Sequence, residues 1–279
     1  MAESAPMNAP KIAKVDGLQL AYRELGNGPP VLLLHGWPTS SFLWRNVMGP
    51  IAQSNRVVAP DLPGFGASDK PVGIRYSFDF FERALDGFLA QLGIDRLGLA
   101  VHDLGGPVGL HWALARPGRV TKLALLNTLV YPEFSEAVKE FVRACATPDL
   151  REQITSPSGL ESIIRDGLAD RASLSKDVLV EMLAPFRIAE ARQALADAGI
   201  GLSRRGFAEI ARQLPTLRIP VRVVYGARDR LLPDVADTMK RVKNDLPQTD
   251  ITVLSECGHF VQEEAPSQVG ELLARFFAA

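Results

Sequence analysis

The chain has 279 residues, 47% of them hydrophobic, with 31 basic against 32 acidic side chains and a net charge of −1. That near-neutral balance offers no electrostatic attraction for nucleic acid or a membrane surface, so neither is expected as a partner. The length suits one elaborated α/β domain better than two independent ones.

The first residues, MAESAPMNAPKIAK, lack a basic start followed by an apolar stretch, so a cytoplasmic location is expected. Leu18 to Leu25 alternates imperfectly and reads as an antiparallel edge strand. Val31 to Leu34, Arg56 to Ala59, Leu97 to Val101 and Leu123 to Leu126 are near-continuous apolar runs, as required of strands covered on both faces. Between them Phe78, Phe81, Leu85, Phe88, Leu89 and Leu92 recur at helical spacing until Gly93 stops the helix. From 131 to 214 the strand signal disappears, and only helix-like stretches remain, such as Glu136 to Ala144, Leu160 to Leu168, Val178 to Leu183 and Phe207 to Leu214. Strands return at Val221 to Tyr225 and Ile251 to Leu254. The last helix starts at Pro266 and carries Val269, Leu272, Leu273 and Phe276 on one face. This alternation predicts an α/β fold with a doubly wound, mostly parallel sheet of about eight strands. The core comprises 1–130 and 215–279, and 131–214 is a helical cap over the strand ends, where ligands bind in such sheets.

The residues that carry chemistry lie just after these strands. Val101-His102-Asp103-Leu104-Gly105-Gly106 joins a strand to a helix, the layout of a nucleophile elbow with Asp103 at its centre. Taken alone, Asp103 reads equally as a helix N-cap. Its company favours the catalytic reading: His35-Gly36-Trp37-Pro38, Asp61 to Gly66, Gly226-Ala227-Arg228-Asp229 and Gly258-His259-Phe260 each follow a strand. Nucleophile, acid and histidine then come in the chain order Asp103, Asp229, His259. Asn127, after the strand before the insertion, is no anion, so Asp229 is the expected acid, although a solvated carboxylate between Arg228 and Arg230 is its bland alternative. Asp234 reads as the start of a helix. His35 and His102 read as hydrogen-bonded structural residues, His111 as packing or surface, and Cys257 as a small buried group. The four histidines and two cysteines show no metal-ligand spacing, and no cofactor is expected.

From about residue 30 onward the chain resembles the haloalkane dehalogenase and epoxide hydrolase branch of the α/β-hydrolases. The resemblance is carried by Pro38-Thr39-Ser40-Ser41-Phe42-Leu43-Trp44-Arg45, Gly66-Ala67-Ser68-Asp69-Lys70-Pro71 and His259-Phe260-Val261-Gln262-Glu263. It implies a small-molecule substrate, a halide ion as product, a monomer or homodimer, and Ala184-Pro185-Phe186 as part of the halide pocket. A carboxylate with a reference pKa of about 3.9 is already ionised, so it can displace a leaving group from an sp³ carbon without help. His259, supported by Asp229, then activates water against the resulting ester, while the backbone N–H groups of Trp37 and Leu104 hold the oxyanion.

Two departures matter. Dehalogenases of this branch usually place tryptophan after the nucleophile, whereas this chain has Leu104, leaving Trp37 either as the halide donor or as an apolar wall. Epoxide hydrolases normally use two cap tyrosines as proton donors, yet none occurs between 132 and 214, and Tyr131 stands at the border. Dehalogenation is therefore the expected activity and epoxide hydrolysis the alternative. A ligand-binding homologue with little turnover is the third reading.

Overall fold

The computed structural model describes residues 9–278. Its eight strands form one sheet: β1 (Lys11–Val15), β2 (Leu18–Leu25), β3 (Pro30–Leu34), β4 (Arg56–Pro60), β5 (Leu97–His102), β6 (Val120–Leu126), β7 (Val221–Gly226) and β8 (Thr249–Leu254). They lie in the order β1-β2-β4-β3-β5-β6-β7-β8, with β1 and β2 antiparallel to their neighbours and the rest parallel. The antiparallel segment Leu18–Leu25 is thus one place in from the edge, which β1 occupies.

Three helices accompany the first strands: α1 (Met48–Ile51), α2 (Phe78–Gln91) and α3 (Gly105–Ala115). Six more, α4 (Glu136–Ala146), α5 (Pro148–Thr155), α6 (Pro157–Gly167), α7 (Lys176–Leu183), α8 (Ala189–Gly201) and α9 (Arg204–Gln213), are inserted between β6 and β7. The chain closes with α10 (Val235–Asp245), α11 (Val261–Glu264) and α12 (Pro266–Ala278). Serine starts many of the helices. Ser77, Ser135, Ser156, Ser175 and Ser203 each accept a backbone N–H of the first turn, satisfying a donor the helix itself cannot.

The core follows from the pattern. β5 is buried at all six positions because α2 and α3 cover one face of the sheet and α1 and α12 the other. α3 is apolar nearly all round, as a helix packed between the sheet and the insertion must be. In-register pairing of Leu34 with Val101, His102 with Leu126, and Gly226 with Leu254 ends the central strands side by side. The loops after them therefore open at one edge, beneath the inserted helices. No helix among the described residues is long and apolar enough to cross a membrane.

Candidate active site

Asp103 sits on the turn between β5 and α3 with φ +48°, a left-handed conformation uncommon for a residue with a side chain. The turn is held from below: Asp103 N–H donates to the Asn127 carbonyl at 3.1 Å, and Thr128 Oγ1 donates to the Asp103 carbonyl at 2.7 Å. Such a tight turn requires small neighbours. A Cβ on Gly105 would strike the carbonyls of Leu34 and His35, and one on Gly106 would strike Thr128. The strained turn lifts the carboxylate off the sheet and into the space under the insertion.

The carboxylate is gripped by backbone. Trp37 N–H donates to Asp103 Oδ1 at 2.7 Å, and Leu104 N–H also donates to the carboxylate. Gly36 allows this approach, since a Cβ there would overlap the Asp103 side chain. Burial pushes Asp103 above the usual carboxylate range, against the opposing pull of His259 and the two amides.

His259 follows β8 and is fully buried. Its Nδ1 lies 2.8 Å from Asp229 Oδ2 and its Nε2 lies 3.6 Å from Asp103 Oδ2, beyond hydrogen-bond distance. Among the described residues Nε2 has no hydrogen-bond partner. Since Asp229 can only accept, Nδ1 carries the proton and Nε2 is left as an acceptor facing Asp103. Burial works against the imidazolium, yet Asp229 and then Asp103 and Glu264 hold the His259 pKa above its ordinary value.

Asp229, after β7, is bonded at both oxygens. Oδ1 accepts from Leu231 N–H at 2.9 Å and Leu232 N–H at 2.8 Å, and Oδ2 accepts from Asn127 Nδ2 at 2.8 Å. Burial alone would raise its pKa, but His259 and these donors hold it below the usual value. Asn127, set aside in the sequence for lacking charge, is what aims this anion. Its Oδ1 accepts Gly226 N–H at 3.1 Å, which fixes the amide the right way round.

Asp103 opens onto a cavity of about 400 Å³ with mostly apolar walls. Trp37, Leu104 and Leu129 line it from the core, and Val138, Phe141 and Phe207 from the insertion. The side chain of Asp103 keeps 18% of its exposure, whereas those of Asp229 and His259 keep none. Asp103 alone of the three meets whatever enters.

The α/β hydrolase fold family model matches residues 29–159. Haloalkane dehalogenase 2 of Mycobacterium tuberculosis is 32% identical over 264 residues, covering 93% of this chain and 91% of that protein. Among solved structures, haloalkane dehalogenase DbeA from Bradyrhizobium elkani is 27% identical at a TM-score of 0.86, covering 97% of each chain. Epoxide hydrolase CorEH is 25% identical at a TM-score of 0.82, covering 96% of this chain and 98% of that one. The chain belongs to the α/β-hydrolase family. It is a hydrolase related to the haloalkane dehalogenases.

Within this α/β-hydrolase site, the structure favours one of the two readings left open for Trp37 and places Pro185 and Phe186 away from the cavity. The indole N–H of Trp37 donates to the Leu195 carbonyl on α8 at 3.0 Å, so it is not free for a halide, and the ring packs edge-on against Phe141. Trp37 is an apolar wall. Pro185 and Phe186, unlike Trp37, do not line the cavity. They form a short turn between α7 and α8, and Phe186 is buried in the apolar core at 1% exposure.

The other histidines have structural partners. His35 Nε2 accepts Leu62 N–H at 3.0 Å, and His102 Nε2 meets the His259 carbonyl at 3.0 Å. Burial lowers the pKa of both and keeps them neutral. Tyr131 donates to Asp245 at 2.7 Å on the far side of the insertion boundary.

Proposed function

We propose that this enzyme hydrolyses small apolar haloalkanes by double displacement, with Asp103 as nucleophile, His259 as base and Asp229 as the supporting acid. The observation that carries the reading is Asp103 itself: a carboxylate held by two backbone N–H groups, facing an apolar cavity, with His259 Nε2 at 3.6 Å.

In the first step an Asp103 oxygen bonds to the sp³ carbon as the carbon–halogen bond breaks, and the halide leaves with the electron pair. His259 has no proton to remove here. In the second, His259 takes a proton from water, and the hydroxide attacks Cγ of the alkyl ester. The N–H groups of Trp37 and Leu104 receive the oxyanion, and the alcohol departs with the proton from His259. Residues 131–214 act as the cap that keeps bulk water from the ester and shapes the substrate site.

With Trp37 engaged by Leu195, departure of the halide gains little from a side-chain donor. Bromide and iodide, which need less help, are the favoured leaving groups. Epoxide opening fits less well, because none of the four tyrosines lines the cavity to protonate an alkoxide. Two buried free thiols, Cys145 and Cys257, suit a reducing cytoplasm.

The test is a single turnover of 1-bromobutane in oxygen-18 water. The alcohol should carry unlabelled oxygen from Asp103, with the label left in the protein. Asp103→Asn, which tolerates the same backbone conformation, should release no bromide. A labelled alcohol in the first turnover would mean direct attack by water and would overturn the reading.

A further inference from the structure

The inserted helices touch the histidine loop where α6 ends, and the carboxylate of Glu264 sits in that contact. The turn leaving α6, at Gly167 to Asp170, lies against Gly258 and His259. His259 N–H donates to the Gly167 carbonyl at 2.6 Å. Gly258 is pressed so close that a Cβ would collide with the Gly167 carbonyl and the Ala169 nitrogen. Glu264, the last residue of α11, reaches into this contact from the core. Its Oε1 accepts Ala169 N–H and its Oε2 accepts Gly258 N–H, both at 2.7 Å, and the Asp170 N–H also donates to it. From the other side Arg230 Nη1 donates to the Leu168 carbonyl at 2.7 Å and Nη2 to that of Ala169 at 3.2 Å.

One anion thus joins two segments whose backbones both present N–H groups. A carboxylate accepts at both ends, and hydrogen bonds to a charged acceptor are roughly twice as strong as neutral ones. An amide of the same shape cannot replace it, since one end would turn an NH₂ toward an N–H. Half-buried between the two backbones, Glu264 is poorly placed to exchange these partners for water.

We propose that Glu264 is a positioning residue that locks the His259 loop to the insertion and holds Nε2 over the Asp103 carboxyl. This rests on the ester reading above, and it assigns Glu264 to the second step only. Alkylation of Asp103 needs no proton transfer, so misplacing His259 leaves it intact. Hydrolysis of the ester needs Nε2 within reach of both water and Cγ, so the same misplacement slows it.

Rapid-quench measurement of bromide release from 1-bromobutane tests this with Glu264→Gln. The expected result is a burst of one equivalent at a rate within about twofold of the parent, followed by a steady state about ten- to a hundredfold slower. Glu264→Asp, which keeps the charge but is too short to span both N–H groups, should show the same split and serves if the Gln variant does not fold. Parallel loss of both steps, or loss of neither, overturns the positioning role. His259→Phe is run alongside. If it forms no adduct on Asp103, the ester reading itself has failed. If it does, the Glu264 result is decided separately.

Discussion

His259 and His111 each stand between two carboxylates, and they differ in what is left over. His111, on α3, has Nδ1 on Glu82 of α2 and Nε2 3.2 Å from Glu209 of α9, under the stacked ring of Phe78. Carboxylates only accept, so both ring nitrogens donate and the ring is an imidazolium. Arg116 binds Glu82 and Asp86, and Arg205 binds Glu209, which completes a closed ion network joining the core helices to the insertion. His259 is bonded to a carboxylate at one nitrogen only, and the second faces Asp103 across 3.6 Å without a hydrogen bond. The same three groups make a strut when saturated, and with one ring nitrogen left unbonded beside Asp103 they provide the base that the proposed mechanism requires.

The largest expected effect comes from breaking the polar side of the open cluster. Asp229→Asn removes the anion that fixes the tautomer and steadies the imidazolium, so kcat should fall about a thousandfold or more. His111→Phe, which removes the corresponding ring from the saturated cluster, should leave kcat within about twofold while lowering the melting temperature. Steady-state bromide release from both variants checks the contrast.

A smaller effect sharpens the electrostatics. Asp103 is one of the charges that raise the His259 pKa, so Asp103→Asn should move the His259 titration downward in NMR, with His111 unchanged. Burial lowers the His111 pKa, but Glu82 and Glu209 outweigh it and raise the value above 6.5. The sign of its stability contribution follows. It is fully present below the unfolded value and is lost as pH rises through the raised folded value. Glu209→Gln, at a partly exposed position, should lower the melting temperature by only about 2 °C at pH 6. The part owed to His111 should vanish at alkaline pH, leaving only the small exposed Arg205 contact.

The contrast also marks what could be read from the chain alone. The central parallel strands were legible because burial on both faces forces near-continuous apolar runs. β1 was not, because an edge strand with exposed Lys11, Ile12 and Lys14 needs only Ala13 and Val15 to face inward. In the insertion, α8 escaped notice because its buried face is largely alanine and carries almost no amphipathic contrast. At the site, Asp103, Asp229 and His259 stood out because chemistry demands them after particular strands, in a particular order. What Trp37 and Phe186 do was not legible. The partner of the Trp37 indole is a main-chain carbonyl 158 residues away, and nothing in residue type announces it. Asn127 and Glu264 were hidden for a related reason: each acts through the orientation of another group, and neither belongs to a residue pattern of its own.

The central claim is that the open nitrogen of His259 serves only the second step, and mass spectrometry of one variant tests it most directly. His259→Phe exposed to 1-bromobutane should release one equivalent of bromide and gain the mass of a butyl group in place of a proton, on the peptide containing Asp103. An unmodified His259→Phe protein that releases no bromide would mean the histidine acts before attack, and the carboxylate mechanism would be contradicted.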